Sequence, residues 1–231
     1  MPVMVVTGAS SGIGAAVAAM AVAQGWQVAG LSRREVAPDG VRAIACDVTD
    51  SAAVRAAFDA IAADWGRVDV LFANAGAFPR ADSIDGITDE EWRAAMAVNL
   101  DGMFHVCRAA FAQMRRQDPQ GGRIILNGSV SAQAPRPRAM AYTVAKHALT
   151  GLTRQLALDG RPFGIAAGQI DIGNAATELL AGIAAGQDNP EPMMPVDQAA
   201  HAVLHMASLP AGSNVLSMTV MATNMPLIGR G

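Results

Sequence analysis

The stretch Val3-Met4-Val5-Val6-Thr7-Gly8-Ala9-Ser10-Ser11-Gly12-Ile13-Gly14 decides the fold. A short apolar run gives way to a glycine-rich turn, and an alanine-rich stretch from Ala15 to Gln24 follows. Strand, turn and helix in that order read as the first unit of a dinucleotide-binding α/β fold. Gly8 allows the tight turn. Gly12 lets the backbone approach a pyrophosphate, and Gly14 lets the helix pack close to the strand. Ser10, Ser11 and Ile13 complete the turn, where free N–H groups and the positive end of the helix dipole face the phosphates.

Moving outward, Gly25 stops the helix and Trp26–Leu31 reads as a second strand ending in Ser32-Arg33-Arg34. An acidic residue at this end would grip the ribose hydroxyl of NAD, whereas arginine accommodates the 2′-phosphate of NADP. Arg33 and Arg34 therefore favour NADP, with NAD still possible. A third strand, Val41–Cys46, ends at Asp47-Val48, and Asp50-Ser51 reads as a helix start. Val68–Ala73 is a fourth strand followed by the small-residue turn Asn74-Ala75-Gly76. Thr88-Asp89-Glu90-Glu91 has the cap and acids of a helix N-terminus. The helical pattern runs to about Arg116, with Asn99 and Asp101-Gly102 predicting a kink inside it.

Arg123–Leu126 is a fifth strand, ending in Asn127-Gly128-Ser129. Pro135 and Pro137 mark a loop. A helix then carries Tyr142-Thr143-Val144-Ala145-Lys146 and extends to about Asp159. Positions i and i+4 share a helix face, so the phenol and the ammonium point into one space. The lysine is expected to favour the phenolate and draw the phenol pKa down from about 10, giving an acid and base usable near neutrality. Ser129 is placed to hold a carbonyl beside it. Ile165–Ile170 is a sixth strand, 171–195 a glycine- and proline-rich segment readable as a substrate lid, and Val215–Met221 a last strand after a helix starting near Asp197.

Strands alternating with helices predict a doubly wound parallel sheet of seven strands, a Rossmann fold formed as a single domain over residues 1–231. Ligands then gather beyond the carboxyl ends of the strands. The composition agrees: 231 residues, 52% hydrophobic, net charge −3. The mixed, modest charge excludes an extended nucleic-acid surface. No apolar run approaches the roughly 18 residues that span a bilayer. The opening Met1-Pro2-Val3 carries no basic leader, so a cytoplasmic protein is expected. Cys46 and Cys107 lie in apolar surroundings and read as reduced core residues. His105 and His147 read as helix-face residues, and no metal site is expected.

Taken together, Thr7-Gly8-x-x-x-Gly12-x-Gly14, Asp47, Asn74-Ala75-Gly76, Asn99, Ser129 and Tyr142-x-x-x-Lys146 resemble the short-chain dehydrogenase/reductase family over nearly the full length. The resemblance implies that Asp47 and the Val48 backbone hold the adenine, and that Asn74, Ala75 and Gly76 line the cofactor cleft. It implies that Ser129 polarises a substrate carbonyl and that Tyr142 is acid in reduction and base in oxidation. Lys146 would bind the nicotinamide ribose, and Asn99 would hold a water that links Lys146 to solvent. A small-molecule carbonyl or alcohol substrate and a homodimer or homotetramer follow from the same likeness.

Two departures stand out. The family usually carries Pro-Gly after the sixth strand and a threonine a few residues later that contacts the nicotinamide carboxamide. In Ala166-Ala167-Gly168-Gln169-Ile170-Asp171-Ile172-Gly173-Asn174, Gly168 is matched to the glycine, Ala167 to the proline and Ile172 to the threonine. Backbone groups of Ile170 and Ile172, or Asn174, would then serve the cofactor. The second is Val220-Met221-Ala222-Thr223-Asn224-Met225-Pro226 in place of the family's more common Asp-Gly-Gly ending, a methionine-rich stretch readable as core, pocket wall or subunit contact. Competing readings keep the fold but use it for epimerisation or imine reduction, or for a cofactor-binding regulator without turnover. The complete Ser129, Tyr142 and Lys146 set argues against the regulator, which needs the cradle but no proton relay.

Overall fold

The structure, a computed structural model, describes residues 1–186 and 190–228. Its strands alternate in sequence between two kinds of burial. Val3 and Val5 of β1 (Val3–Thr7) join one apolar cluster, whereas Met4 and Val6 join another. Leu71 and Phe72 of β4 (Val70–Ala73), and Ile124 and Ile125 of β5 (Gly122–Asn127), divide in the same way. Successive strand side chains point to opposite faces, so a sheet with apolar residues at every position is covered on both sides.

The sheet has seven strands in the order β3-β2-β1-β4-β5-β6-β7, every pairing parallel. The remaining strands are β2 (Gln27–Ser32), β3 (Arg42–Ala45), β6 (Ile165–Ile172) and β7 (Ser217–Val220). On one face, α2 (Ser51–Trp65), α4 (Gly102–Arg116) and α5 (Met140–Gly160) bury Phe58, Met103 and Leu149 against it. On the other, α1 (Gly12–Ala23) and α7 (Val196–Ala207) bury Val17 and Val203. This is the doubly wound α/β architecture expected from the alternating pattern.

Local chemistry sets the helix boundaries. Asp50 caps α2 by accepting from Ala52 N (2.8 Å) and Ala53 N (3.2 Å). Thr88 and Glu91 form a reciprocal capping box at the start of α3 (Asp89–Met96), with bonds of 3.1 and 2.9 Å. The kink expected around Asn99 is a π turn, Ala97–Asp101, joining α3 to α4. Asn99 is fully buried there. Its amide nitrogen donates to the Ala95 and Ala77 carbonyls, and its oxygen accepts from Ala77 N, each at 3.0 Å. Gly102 follows because a Cβ there would lie 2.7 Å from Val48 Cγ2.

One boundary differs in a way that moves the site. β6 runs past Ile170 and takes Asp171 and Ile172 into the sheet, paired with Thr219 and Val220 of β7. The segment 171–195 is therefore strand at its start. It later carries α6 (Glu178–Ala184), while its residues 187–189 lie outside those described.

Candidate active site

The glycine-rich turn closes on itself as its residues require. Gly8 and Gly12 adopt φ of 69° and 57°, in the left-handed region that favours glycine. A Cβ on Gly14 would overlap the Gly8 carbonyl oxygen and come within 2.7 Å of Asn74 Nδ2. Ser11 precedes α1 without a side-chain cap bond, so the first N–H groups of the helix are left for another acceptor. From Ser10, Ser11 and Gly12 a cleft of about 490 Å³ runs along Ala15 and Ala19 to Thr177.

A chain of hydrogen bonds links this turn to the lysine of α5. The buried Thr7 hydroxyl accepts from Asn74 N (2.8 Å) and Ala75 N (2.9 Å), and the Thr7 carbonyl accepts from Asn74 Nδ2 (2.9 Å). Asn127 Nδ2 donates to Asn74 Oδ1 at 2.8 Å. Lys146 Nζ donates to the Asn127 carbonyl at 2.7 Å. Gly76 is held close to Asn99, whose Oδ1 would be 3.0 Å from an added Cβ. The sequence pattern alone gives Thr7 and Asn127 no role, although both stand at strand carboxyl ends, where such residues gather.

Around Lys146 the expected set comes together. Lys146 Nζ lies 5.5 Å from the centre of the Tyr142 ring. Ser129 stands near enough to the phenol to favour its ionised form. Phe78 covers the ring from outside, with centroids 4.9 Å apart. Burial pushes the Tyr142 phenol above its ordinary value; Ser129 and Arg136 pull it down and Asp171 adds to the rise. This corrects the expectation that the lysine lowers it. Loss of water around the phenolate is the largest effect, and Lys146, itself fully buried, is pushed down to about 8. A lysine that sheds its proton so readily is a weak source of positive charge at alkaline pH.

Ile170 and Ile172 turn their side chains away from the cleft, which leaves only backbone groups to face it. Ile170 is fully buried in the core beneath α1 and α7, its carbonyl accepting from Gly128 N at 2.8 Å, and Ile172 packs in the same cluster. Gly168 sits mid-strand, paired with Ile125. The glycine that follows the end of the strand is Gly173. Thr177 lies four residues on, and its Cγ2 would stand 3.2 Å from a Cβ added to Gly12. β6 extends two residues beyond Ile170, and Gly173-x-x-x-Thr177 repeats, past the end of the strand, the spacing of Gly168 and Ile172. Asn174 is held by Glu191 (2.9 Å) and Arg136 (3.0 Å).

At the adenine end, Ser32 Oγ donates to the Arg34 carbonyl, fixing the turn that carries the exposed Arg33 and Arg34. Thr49 donates to Asp47 from its backbone and its hydroxyl (2.9 and 2.8 Å). These bonds, helped by Arg33 and opposed by burial, hold the Asp47 carboxyl below its usual range. The Val48 carbonyl is tied to His105 Nδ1 at 3.0 Å. His147 Nδ1 lies 2.9 Å from the Thr143 carbonyl. Cys46 and Cys107 are separate buried thiols, pushed up to about 11 and about 12 chiefly by burial. Arg80 is exposed and pairs with Glu91 and Asp82.

Among the described residues no three His, Cys, Asp or Glu side chains gather as a metal site, and no helix is long and apolar enough to cross a membrane.

A doubly wound parallel sheet with a glycine-rich turn at the carboxyl end of its first strand defines a Rossmann-fold protein. The family model for short chain dehydrogenase matches residues 2–188, and the chain belongs to that family. It is 34% identical over 174 residues to the 3beta-hydroxysteroid dehydrogenase of Mediterraneibacter gnavus, a match covering 71% of this chain and 62% of that one. The chain thus spans less than two thirds of the length of that relative. Aldohexose dehydrogenase of Thermoplasma acidophilum superposes with a TM-score of 0.86 at 30% identity, over 95% of this chain and 92% of that structure. A 3-ketoacyl-(acyl-carrier-protein) reductase from Brucella melitensis, solved with NADH, gives 0.84 at 25% identity, over 95% and 96%.

Proposed function

We propose that the protein is an NAD(P)-dependent oxidoreductase acting on a carbonyl/alcohol pair, with NADP preferred. The observation that carries this reading is Lys146, its Nζ 5.5 Å from the centre of the Tyr142 ring on the same helix face and linked by hydrogen bonds to the glycine-rich turn, with Ser129 near enough to pull the phenol pKa down. The cradle fits a dinucleotide: Gly8 and Gly14 leave no room for side chains, and α1 offers uncapped N–H groups.

In this reading Ser10, Ser11, Gly12, Ile13 and Gly14 hold the pyrophosphate, and Asp47 and Val48 hold the adenine. Asn74, Ala75 and Gly76 line the cleft, Arg33 and Arg34 take the 2′-phosphate, and Thr177 takes the carboxamide. The nicotinamide, when bound, supplies or accepts the hydride. Ser129 donates to the substrate oxygen, and Tyr142 delivers a proton to that oxygen in reduction and removes it in oxidation. Lys146 binds the ribose hydroxyls and restores the charge balance of the tyrosine. Asn99, by bracing the loop at Ala77 and turning the helix, belongs to the proton path. The segment after Gly173 closes over the substrate as a lid, pinned by the Arg136–Glu191 pair (3.0 Å). The protein works in the cytoplasm as a homodimer or homotetramer.

The test is a screen of ketones, aldehydes and secondary alcohols with NADPH, NADP, NADH and NAD, followed by cofactor absorbance. Turnover that falls about 10²- to 10⁴-fold in Tyr142→Phe, with cofactor binding kept, supports the reading. Turnover unchanged in that variant overturns it.

A further inference from the structure

One buried carboxylate near the site has no part in the chemistry above. Asp171, near the end of β6, is 3% exposed. Its Oδ1 accepts from Ser129 N at 3.1 Å and from Gln169 Nε2 at 2.7 Å, and its Oδ2 accepts from Gln133 Nε2 at 2.7 Å. The space it fills is made for it. A Cβ on Gly128 would overlap Asp171 Oδ1, so the backbone beside Ser129 is bare where the carboxylate sits. Three neutral donors from two segments, the turn 129–133 and β6 itself, converge on it, and Gln133 also reaches Thr219 on β7 at 2.7 Å.

We propose that Asp171 is a positioning residue of the active site, whose buried carboxylate fixes Ser129 through its main chain and sets the charge beside Tyr142. This rests on the oxidoreductase reading for its purpose, though not for its test. The backbone bond to Ser129 N sets where the Ser129 hydroxyl stands, because Ser131 N also ties that hydroxyl at 3.1 Å. The charged and titratable groups facing Tyr142 are Lys146 on the same helix, Asp171 on β6 and Arg136 on the loop before α5. Arg136 is itself paired with Glu191, so among the described residues Asp171 is the carboxylate of this set with no cation directly bonded to it. Its negative charge opposes the loss of the Lys146 proton and opposes formation of the Tyr142 phenolate.

Tyr142 is the only tyrosine in the chain, so phenolate absorbance near ultraviolet wavelengths reports it alone. The experiment is a pH titration of that absorbance in the wild-type protein, in Asp171→Asn and in Gln133→Arg. Asp171→Asn removes the charge and keeps the shape. Gln133→Arg works from a less buried position and pairs the carboxylate with a cation that keeps its charge at the pH where a phenol ionises, so it serves if the buried variant does not fold.

Both variants are expected to lower the Tyr142 midpoint, on the order of half a unit to one unit for Asp171→Asn and less for Gln133→Arg. A midpoint unmoved in a folded variant overturns the electrostatic role, since a merely structural aspartate replaced by its isostere leaves it in place. The titration needs neither cofactor nor substrate, so it decides the role of Asp171 whether or not turnover is found.

Discussion

Lys146 Nζ lies 2.7 Å from the main-chain oxygen of Asn127. That one bond joins α5 to the carboxyl end of β5, and through Asn127 and Asn74 it reaches Thr7 at the carboxyl end of β1. A lysine buried to 3% exposure takes a carbonyl as partner while a carboxylate, Asp171, acts on it from further away. Burial loosens the proton on this nitrogen, and the charge of Asp171 opposes that loss.

The looseness has a consequence for stability. Burial takes the Lys146 pKa from 10.5 to about 8 in the folded chain. Between those values the unfolded chain binds more protons, so this group disfavours folding below pH 8 and ceases to do so as pH rises toward 10.5. Urea denaturation of Lys146→Met beside wild type should show the variant's relative advantage narrowing by on the order of 2 kcal/mol between about pH 7 and about pH 9.5. A gap that stays constant would show that the lysine keeps its proton.

Gly14→Ala should fail on both stability and binding. The added methyl would overlap the Gly8 carbonyl oxygen and crowd Asn74 Nδ2. Overpacking of this kind costs about 1–3 kcal/mol. The displaced Asn74 also breaks the hydrogen-bond chain to Lys146. Thermal denaturation and NADPH fluorescence titration check the two effects; a stable variant with intact binding would contradict the tight packing at this turn.

The sheet was legible because strands covered on both faces show as apolar runs, and each run here ends in a small or polar residue. Val3–Thr7 and Val70–Ala73 could hardly be read otherwise. The Tyr142–Lys146 pair was legible because helix geometry fixes which side chains share a face. The end of β6 was not legible, because Asp171 looks like the first residue of a loop. Only the pairing of Asp171 with Thr219 and its burial against Gly128 show why a carboxylate belongs inside a strand. The direction of the Tyr142 shift was likewise hidden, since spacing reveals a neighbouring charge but not the water that both groups lose on burial.

Phe78 tests that loss of water. The ring is 52% exposed, yet it lies over Tyr142 with centroids 4.9 Å apart. Burial is the largest cause of the raised Tyr142 pKa. Phe78→Ala lets water reach the phenol, which stabilises the phenolate. The absorbance midpoint of this sole tyrosine should fall toward about 10, by on the order of half a unit. An unchanged midpoint would assign the burial to the walls beneath the ring and leave Phe78 to substrate contact alone.

The proposed preference for NADP rests on Arg33 and Arg34. Both are exposed just past the carboxyl end of β2, on a turn that Ser32 closes by donating to the Arg34 carbonyl. Arg33 helps hold the Asp47 carboxyl below its usual range, so a positive group stands near the residue proposed to take the adenine. A 2′-phosphate brought there meets charge-assisted donors, whereas a 2′-hydroxyl gains little from them. The double variant Arg33→Ala/Arg34→Ala should lose about tenfold or more in NADPH affinity and less than about twofold in NADH affinity. Raising the salt concentration should weaken NADPH binding to wild type and scarcely affect the variant, because exposed charge pairs are screened. Equal loss for both cofactors would make the arginines general contributors to the cradle, and NADH binding as tight as NADPH in the wild type would transfer the preference to NAD.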